Sequence, residues 1–434
     1  MPSKDRNMEG DVLNLWLKKR GAVDFDRVDL GLVRVRSVRE AMGFSLNCST
    51  IVVGGTNGKG SVSAILESIL QASGLRVGVY TSPHFQRFNE RIKVCGKEAG
   101  DSEILQFLEQ VESNRKNIVL TYFEYATLAA ASFFSNSNLD VVILEIGLGG
   151  RLDAVNIFDG DCCILTSLAI DHAEVLGGTI EAIAIEKAGI FRQGRPAVCG
   201  IKDPPLALLE MARKVDVDLI QIGRDFDYNS CENANWNFWN NRGLRLTSLP
   251  KPSLIGDIQI ANAAAALAAL DSLRENIHFD REAVNRGLMD INLEGRFQVF
   301  SCKPQLILDV CHNPQAVANF RSNLIQLPKS GRTVALFGML NSKDVVSAIE
   351  ILKDCVDFWV ITELDSDKTL ALSDLREAFA INNVSTDRIS EGNSVAHAFD
   401  MARNLASDDD RILAIGSFYI VSDVKNLMKV KNKW

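Results

Sequence analysis

The sequence is short of the features that mark membrane, zinc-binding and disulfide-rich proteins. No stretch approaches the roughly 20 uninterrupted apolar residues of a membrane-spanning helix, and residues 1–5 lead into no signal-peptide core, so we expect a cytoplasmic protein that does not bind membranes. The nine cysteines form no CxxC pair and have no histidine cluster nearby, which disfavours a disulfide framework and a zinc site. No internal repeat or low-complexity segment is present.

Positive charge is also in deficit, since the net charge is −8. A protein of this charge is not expected to bind nucleic acid in bulk. Any anionic ligand must instead be held by local cations and by backbone N–H groups. What the 434 residues do contain, 47% hydrophobic and 24% charged, is typical of an ordinary globular protein, and the length predicts two domains.

Apolar runs that alternate with helical patterns predict an α/β fold in both halves of the chain. The run 51–53 ends at a glycine pair, a helical pattern follows up to Gly74, and residues 76–80 resume as a strand, which makes a βαβ unit. The fold class is therefore α/β with two doubly wound sheets. Further buried strands are predicted at residues 141–144, 163–166, 306–308, 334–337, 359–361 and 412–415.

One segment departs from this alternation and marks the approach to the second domain. Residues 225–250 interleave Asn, Asp and aromatic residues, and Asn241-Arg242-Gly243 is typical of a turn, so we expect a small hairpin there. An Ala-rich helix is predicted over residues 261–273. Residues 293–296 then precede a new series of strands. We therefore expect an N-terminal domain over residues 1–294 and a C-terminal domain over residues 298–434.

A glycine-rich loop joins the strand and the helix of the first βαβ unit. The sequence Gly-Gly-Thr-Asn-Gly-Lys-Gly-Ser at 54–61 places backbone N–H groups and a helix N-terminus where they can face an anion, and Lys59 can reach the terminal phosphates of a nucleotide. The pattern GxxxxGK[ST] is missed twice, at Val53 and Gly60, so the loop is a variant. The alternative is a glycine turn that only packs helix on strand. We expect phosphate to bind at Gly58, Lys59, Gly60 and Ser61.

Charged residues at predicted strand ends and at the domain junction are further candidates. Glu145 ends an apolar strand in the crevice that the phosphate loop also faces, where a carboxylate suits Mg²⁺; the alternative is a charge that simply leaves a strand. Asp309 closes a strand of the second sheet in the same way. Arg296, at the junction, could bring a permanent cation onto the phosphates, or could merely solvate a linker.

Several longer motifs resemble those of one enzyme family. The phosphate loop is similar to that of the Mur ligase superfamily, and the other motifs narrow the resemblance to folylpolyglutamate synthases, in particular the bifunctional ones that are also dihydrofolate synthases. The similarity extends from about Asp29 to Tyr419. The motifs are Thr-Ser-Pro-His-Phe at 81–85, Arg-Phe-Asn-Glu-Arg-Ile at 87–92, Thr-Tyr-Phe-Glu at 121–124, Glu-Ile-Gly-Leu-Gly-Gly-Arg-Leu-Asp at 145–153 and Glu-Lys-Ala-Gly-Ile-Phe at 186–191.

The resemblance implies a P-loop NTPase-like N-terminal domain and a smaller Rossmann-like C-terminal domain that binds glutamate. It also implies an ATP-dependent ligase that adds L-glutamate to dihydropteroate, making dihydrofolate, and to the γ-carboxylate of folylpolyglutamates. An amide formed near neutral pH needs an activated carboxylate, and an acyl-phosphate made from ATP would supply it. Such an enzyme would belong to folate biosynthesis.

The same resemblance implies ligands for ATP and metal. Two Mg²⁺ ions would be held by Ser61, Ser82, Glu145 and His172. Lys187 would be carbamylated, and a K⁺ ion is a further candidate. ATP would also contact Asn262, Arg296 and Asp309, and His312 would help to orient glutamate. The residues expected to take part in catalysis are Lys59, Lys187, His172 and Arg296.

One departure from the family lies close to Asn262. Many relatives have His-Gln shortly before this Asn, whereas this chain has Ile258-Gln259. We therefore expect the contact with adenine or ribose to differ here, without an effect on the phosphate chemistry.

Three segments resemble the pteroate-binding segments of the bifunctional enzymes. An aromatic ring at Phe123 with carboxylates nearby suits a flat, hydrogen-bonding pterin. Taken singly, each segment is better explained by packing than by recognition, whereas the presence of all three favours the bifunctional enzyme. The segments consist of Asp29, Leu30, Gly31 and Leu32, then Thr121, Tyr122, Phe123 and Glu124, then Leu152, Asp153 and Ala154.

Two other functions fit part of the pattern. A cell-wall Mur ligase would add an amino acid to a nucleotide-linked peptide, but the uridine-nucleotide domain expected before the P-loop is missing, since only a short segment precedes Gly54. A P-loop switch would couple ATP hydrolysis to partner binding. We expect a monomer whose partners are small molecules, namely ATP, L-glutamate, dihydropteroate and folates.

Overall fold

The computed structural model describes residues 12–20, 29–231, 235–300, 303–328 and 331–431. Residues 1–5, on which the expectation about a signal peptide rests, lie outside these ranges. These described residues divide into an N-terminal unit, which holds those from 12 to 253 together with Gln259–Asn292, and a C-terminal unit, which holds Leu254–Ile258 and those from 293 to 431. Within the described ranges, no helix has the length and apolar character that a membrane crossing requires.

An eight-stranded sheet forms the centre of the N-terminal unit, in the order β4-β3-β2-β5-β1-β6-β7-β8. Six neighbouring strands pair in parallel, namely β2, β5, β1, β6, β7 and β8. The strands β3 and β4 extend the β2 edge through antiparallel pairs. The strands are β1 Ser49–Gly54, β2 Val77–Tyr80, β3 Ile92–Val94, β4 Lys97–Glu98, β5 Val141–Glu145, β6 Cys162–Leu165, β7 Pro196–Cys199 and β8 Asp218–Gln221.

The strand order of this sheet reverses at β1, whose neighbours are β5 and β6. Every residue of β5 is buried, as expected for a central parallel strand with both faces covered. Ligands of open α/β sheets bind beyond the carboxyl ends of the strands at such a reversal.

The helices of this unit are α1 Val12–Lys19, α2 Val33–Met42, α3 Lys59–Ala72, α4 Asp101–Arg115, α5 Tyr122–Ser135, α6 Ala173–Leu176, α7 Ile180–Ala188, α8 Leu206–Val215, α9 Ile258–Ser272 and α10 Arg281–Met289.

A separate antiparallel sheet replaces the single hairpin that we predicted at residues 225–250. It has the order β11-β10-β9, with strands β9 Phe226–Ser230, β10 Asn235–Asn240 and β11 Arg245–Pro250. The predicted turn is present, with Gly243 at φ 96°. The prediction missed β9 because Phe-Asp-Tyr-Asn-Ser is rich in residues that are depleted in strands. Asn240 anchors the sheet to α9 through a hydrogen bond from Nδ2 to Asp271 Oδ2 of 2.7 Å.

The C-terminal unit is built on a six-stranded sheet of order β12-β13-β17-β14-β15-β16, in which only the edge pair β12–β13 is antiparallel. Its core includes the rings of Phe337, Trp359 and Phe379. The predicted α/β class, with two largely parallel sheets, is confirmed. The strands are β12 Gln298–Phe300, β13 Gln305–Asp309, β14 Thr333–Phe337, β15 Phe358–Thr362, β16 Ile389–Gly392 and β17 Arg411–Ile415, and the helices are α11 Pro314–Gln326, α12 Val345–Leu352, α13 Leu372–Ile381, α14 Val395–Leu405 and α15 Phe418–Lys431.

Candidate active site

The glycine-rich loop lies between the carboxyl end of β1 and the N-terminus of α3, and two of its glycines are required by geometry. Gly55 has φ 141°, and a Cβ there would lie 2.0 Å from Thr166 Oγ1. Gly58 has φ 91°, and a Cβ there would lie 2.9 Å from Asn262 Oδ1. Side chains are therefore excluded from both positions. This places the side chain of Asn262, in α9, directly against the loop.

The segment that follows β6 holds this loop in place. Ser167 accepts two hydrogen bonds, from Thr56 N to its carbonyl at 2.9 Å and from Asn57 N to its Oγ at 2.9 Å. Thr166 Oγ1 donates to Asn57 O at 2.6 Å. The sequence analysis missed Thr166 and Ser167, although hydroxyl residues at the end of a predicted strand beside the phosphate loop were a usable signal.

Two lysine side chains converge on one carbonyl oxygen of the loop. Lys59 Nζ donates to Gly55 O at 3.1 Å and to Thr56 O at 3.2 Å, and Lys187 Nζ donates to Gly55 O at 3.0 Å. Lys187 lies in the last turn of α7 and is buried. Burial lowers the pKa of Lys187 to about 7, and the charge of Lys59 acts in the same direction, against the opposing effect of Asp171 and Asp153. With this pKa, about half of the Lys187 side chains carry a neutral, nucleophilic amine near neutral pH.

The four predicted metal ligands all lie in the N-terminal unit. Glu145 is buried at the end of β5, where it pairs with Val53 of β1, and its Oε2 lies 3.4 Å from Ser82 N. Ser61 is buried in the first turn of α3. His172 precedes α6 with φ 52°, and its side chain lies 4.0 Å from Asp171 and 3.8 Å from Glu174. Across the described part of the chain, no three His, Cys, Asp or Glu side chains form a cluster that could hold a metal ion.

A carboxylate organises the loop that follows Ser82. Glu90 accepts hydrogen bonds from three consecutive backbone N–H groups, those of Phe85 at 2.6 Å, Gln86 at 2.8 Å and Arg87 at 2.9 Å. In the same loop, Arg91 Nε donates to His84 Nδ1 at 2.7 Å. Burial, together with the charge of Arg91, lowers the pKa of His84 well below its ordinary value. His84 is therefore neutral at physiological pH, with the remaining ring proton on Nε2.

The segment Thr121–Glu124 forms the start of α5, and most of its polar groups have structural partners. Thr121 is the N-cap, and Thr121 and Glu124 form a reciprocal capping box with hydrogen bonds of 3.2 and 2.8 Å. Tyr122 OH donates to Asn14 Oδ1 at 2.5 Å. The ring of Phe123 is only partly buried and lies 5.9 Å from that of Tyr80, and a Cβ on Gly147 would lie 2.6 Å from Phe123 Cζ.

The two other predicted substrate segments differ in exposure. In the segment Leu152 to Ala154, Asp153 is buried and accepts hydrogen bonds from Leu148 N at 2.8 Å and Val155 N at 2.9 Å. Burial raises the pKa of Asp153 to about 6, and these hydrogen bonds and the charge of Lys59 only partly oppose it. In the other segment, Asp29 is exposed and Leu30, Gly31 and Leu32 are partly exposed.

Arg296, Asp309 and His312 come together in the C-terminal unit. Both oxygens of Asp309 accept backbone hydrogen bonds at 2.7 Å, from Phe297 N and from Cys311 N. Burial raises the pKa of this carboxyl, and the charge of Arg296 opposes the rise. The ring of Phe418 lies 5.5 Å from the Arg296 guanidinium and 6.2 Å from the His312 ring. Phe418 was not among the site residues predicted from the resemblance.

Both parts of the chain match families of the Mur ligases. Residues 53–270 match the Mur ligase middle domain, and residues 295–418 match the Mur ligase glutamate ligase domain. The chain is 39% identical to the dihydrofolate synthase/folylpolyglutamate synthase of Escherichia coli over 96% of this chain and 95% of that protein. It is 37% identical to the enzyme of the same name from Haemophilus influenzae, over 94% and 95%.

Solved structures give the same result. The chain matches Escherichia coli FolC in complex with DHPP and ADP with a TM-score of 0.90 at 38% identity, over 97% of this chain and 98% of the other. A bifunctional folylpolyglutamate synthase/dihydrofolate synthase with Mn, AMPPNP and L-glutamate bound matches with a TM-score of 0.87 at 37% identity, over 96% and 98%. The resemblance predicted from the motifs is confirmed. The chain belongs to the Mur ligase family, as a member of its dihydrofolate synthase/folylpolyglutamate synthase group.

Proposed function

We propose that the loop and strand ends described above carry out the reaction of this family in the present chain. As a member of the family the protein is an ATP-dependent amide-bond ligase of folate metabolism. The acceptors we assign are dihydropteroate and the γ-carboxylate of folylpolyglutamates, and the amino acid is L-glutamate. The relatives, which carry the names of both synthases, support this dual assignment. We further propose that the enzyme is a cytoplasmic monomer.

For ATP, we assign the phosphates to Gly58, Lys59, Gly60 and Ser61. The loop offers backbone N–H groups and the N-terminus of α3 to an anion, and the Lys59 ammonium group already lies at the loop. Asn262 is assigned to the nucleotide because its side chain contacts the loop glycine. Arg296 and Asp309 of the C-terminal unit keep their assignment to ATP, with Arg296 as the permanent cation for phosphate charge.

For the metal, we assign Mg²⁺ to Glu145 and the hydroxyls of Ser61 and Ser82, with His172 at a second ion. A buried carboxylate with hydroxyl oxygens fits a hard cation, and the short protein ligand set is typical of Mg²⁺, which retains water and phosphate oxygens. Bound there, the ion would neutralise phosphate charge. The pKa of Lys187 near 7 supports its carbamylation, because a neutral amine can add to carbon dioxide and become an anion.

For the acid, we assign the pterin to a site at the partly exposed ring of Phe123, with the segments that contain Asp29 and the buried Asp153 as its further parts. Phe123 presents a partly exposed ring, and the absence of a side chain at Gly147 leaves room for that ring. Asp153 can pair with the donor edge of a pterin. His312 is assigned to the incoming glutamate. These assignments give an ATP- and pterin-binding domain over residues 1–294 and a glutamate-binding domain over residues 298–434.

The proposed reaction has two chemical steps. A carboxylate oxygen of the acid attacks the γ-phosphorus of ATP, the bond to the β–γ bridging oxygen breaks, and ADP leaves. The amine of glutamate then attacks the carbonyl carbon of the acyl-phosphate, phosphate leaves, and the amine gives up a proton as the amide forms. Lys59 and Arg296 would stabilise negative charge in the first step, and exclusion of water would protect the acyl-phosphate from hydrolysis.

The observation that carries this proposal is the convergence of Lys59 and Lys187 on the loop carbonyl at the edge where Glu145 also lies. The test measures phosphate release from ATP with dihydropteroate and with tetrahydrofolate in turn, each with and without L-glutamate. We expect sustained release only when an acid and glutamate are both present. If glutamate-dependent phosphate release occurs with only one of the two acids, the dual assignment is removed. Phosphate release in the absence of both acids would point to an ATPase switch.

A further inference from the structure

Arg34 joins two of the segments that we assign to the pterin acid. It lies in the first turn of α2, close after the segment Asp29 to Leu32. Its Nε and Nη2 atoms each lie 3.2 Å from Glu124 Oε1 in the first turn of α5. Its Nη2 also donates to Asp29 O at 2.7 Å, and its Nη1 lies 3.1 Å from Asp29 Oδ2. One guanidinium group thus connects segment 29–32 to the N-terminus of α5.

The partner of Arg34 on α5 is a carboxylate with little access to water. The Glu124 side chain is 4% exposed, and its second oxygen already accepts the hydrogen bond from Thr121 N at 2.8 Å. A buried carboxylate needs compensation, and a planar guanidinium with several donors provides it while keeping donors for a second partner. Glu124 therefore fixes one side of Arg34, and the remaining donors fix Asp29.

The connection bears on the substrate because the same helical turn carries Phe123. Phe123 directly precedes Glu124, and its ring lies beside Gly147 and Tyr80. A shift of segment 29–32 relative to α5 would change the spacing of two assigned contacts with the acid at once. Small misplacements of binding groups have large effects on reaction rates.

We propose that Arg34 is a positioning residue for the pterin acid: it holds segment 29–32 at a fixed distance from Phe123 and acts on the substrate through Asp29 and Glu124. The inference rests on the proposed function of these segments. Arg34 was missed in the sequence because it is one of three arginines, with Arg36 and Arg39, in a single helix, and no spacing distinguishes it.

The test compares Arg34→Met with Arg115→Met. Arg115 is a matched control because its Nε and Nη2 also pair with one carboxylate, that of Glu112. This carboxylate is likewise connected to α5, since it accepts a hydrogen bond from the hydroxyl of Tyr125, the residue after Glu124. We expect Arg34→Met to raise KM for dihydropteroate at least about tenfold, with KM for ATP unchanged. We expect Arg115→Met to leave both values unchanged and to lower only the thermal unfolding midpoint.

A conservative variant and a double-mutant cycle complete the design. Arg34→Lys keeps the charge but not the planar fork, so it should recover part of the KM increase, and it replaces Arg34→Met if that variant does not fold. The effects of Arg34→Met and Glu124→Gln on KM should be strongly non-additive if the two residues act as one device. Equal effects of Arg34→Met on the KM values of the acid and ATP, the same KM shift in Arg115→Met, or additive effects in the cycle would overturn the proposal. A wild-type protein that is inactive with every pterin acid would overturn the proposed function instead.

Discussion

At the scale of single residues, Gly58 illustrates how backbone geometry couples to nucleotide binding. A Cβ at Gly58 would combine left-handed backbone strain with a close contact to Asn262 Oδ1, so we expect Gly58→Ala to displace Asn262 and raise KM for ATP. The matched control is Gly74→Ala at the other end of α3, which has φ 83° but open space around its Cβ. The left-handed backbone alone should cost each variant about 1–2 kcal/mol in the free energy of unfolding, and the contact with Asn262 adds to this cost only in Gly58→Ala. Equal KM values for ATP in the two variants would contradict the role given to Asn262.

Lys187 makes the stability of the protein depend on pH in a defined direction. Because its pKa falls from 10.5 to about 7 on folding, the unfolded chain binds more protons than the folded one between these values. Burial of the protonated Lys187 therefore lowers the free energy of unfolding by its full amount below about pH 7. This destabilisation decreases as the pH rises towards 10.5. Relative to Lys187→Met, the free energy of unfolding of the wild type should rise by up to about 1.4 kcal/mol per pH unit in this window.

The measurement is urea unfolding between pH 6 and 9 in buffer purged of carbon dioxide, so that the amine stays unmodified. Lys202→Met serves as the control, because this side chain is exposed and its ammonium stays in water in both states. If the free energy of unfolding depends on pH in the same way in the wild type and in Lys187→Met, the pKa of Lys187 is not lowered in the folded protein.

At the scale of elements, the start of α5 combines stability with substrate binding. Thr121→Ala removes the N-cap acceptor of Glu124 N and should cost about 1 kcal/mol in the free energy of unfolding. Ser394→Ala removes a cap of the same length, 3.2 Å, from α14 and should have a similar cost. Only Thr121→Ala should raise KM for dihydropteroate, because it loosens the turn that carries Phe123. Steady-state kinetics and thermal unfolding of both variants check this expectation.

The elements also show what periodicity can and cannot predict. The run Val-Val-Ile-Leu before Glu145 predicted β5 because a strand buried on both faces is apolar throughout. Strands such as β16, with the sequence Ile-Ser-Glu-Gly, carry no such signal, since partial burial at a sheet edge tolerates polar residues. Motif and strand-end reasoning brought Lys59 and Glu145 to one edge of the sheet. It did not find Arg34, because the importance of Arg34 comes from a contact with Glu124, 90 positions away. Ser167 was missed as well, although a hydroxyl residue at a predicted strand end is a signal; its contact with Asn57 spans 110 positions.

At the scale of the whole molecule, each unit has its own hydrophobic core. The core of the C-terminal unit consists of residues from within 297–415, with Trp359 fully buried between Phe337 and Phe379. We therefore expect residues 293–434, expressed alone, to unfold cooperatively on heating and to release no phosphate from ATP. Trp359→Ala should lower the midpoint of this transition strongly, because a loss of about 3–5 kcal/mol is a large part of the roughly 5–15 kcal/mol by which a domain is stable. A fragment without near-ultraviolet circular dichroism would show that this core needs the rest of the chain.

The loop after Ser82 has a bearing on where phosphate can bind. Three successive amides of residues 85–87 point at one centre, the geometry with which proteins capture anions, and the side chain of Glu90 already fills that centre. The Glu90 carboxylate thereby occupies the place that an external anion would take at these amides. Because the amides of residues 85–87 already have an acceptor, we expect a polyphosphate at this edge of the sheet to bind at the glycine-rich turn after β1 and not at this loop.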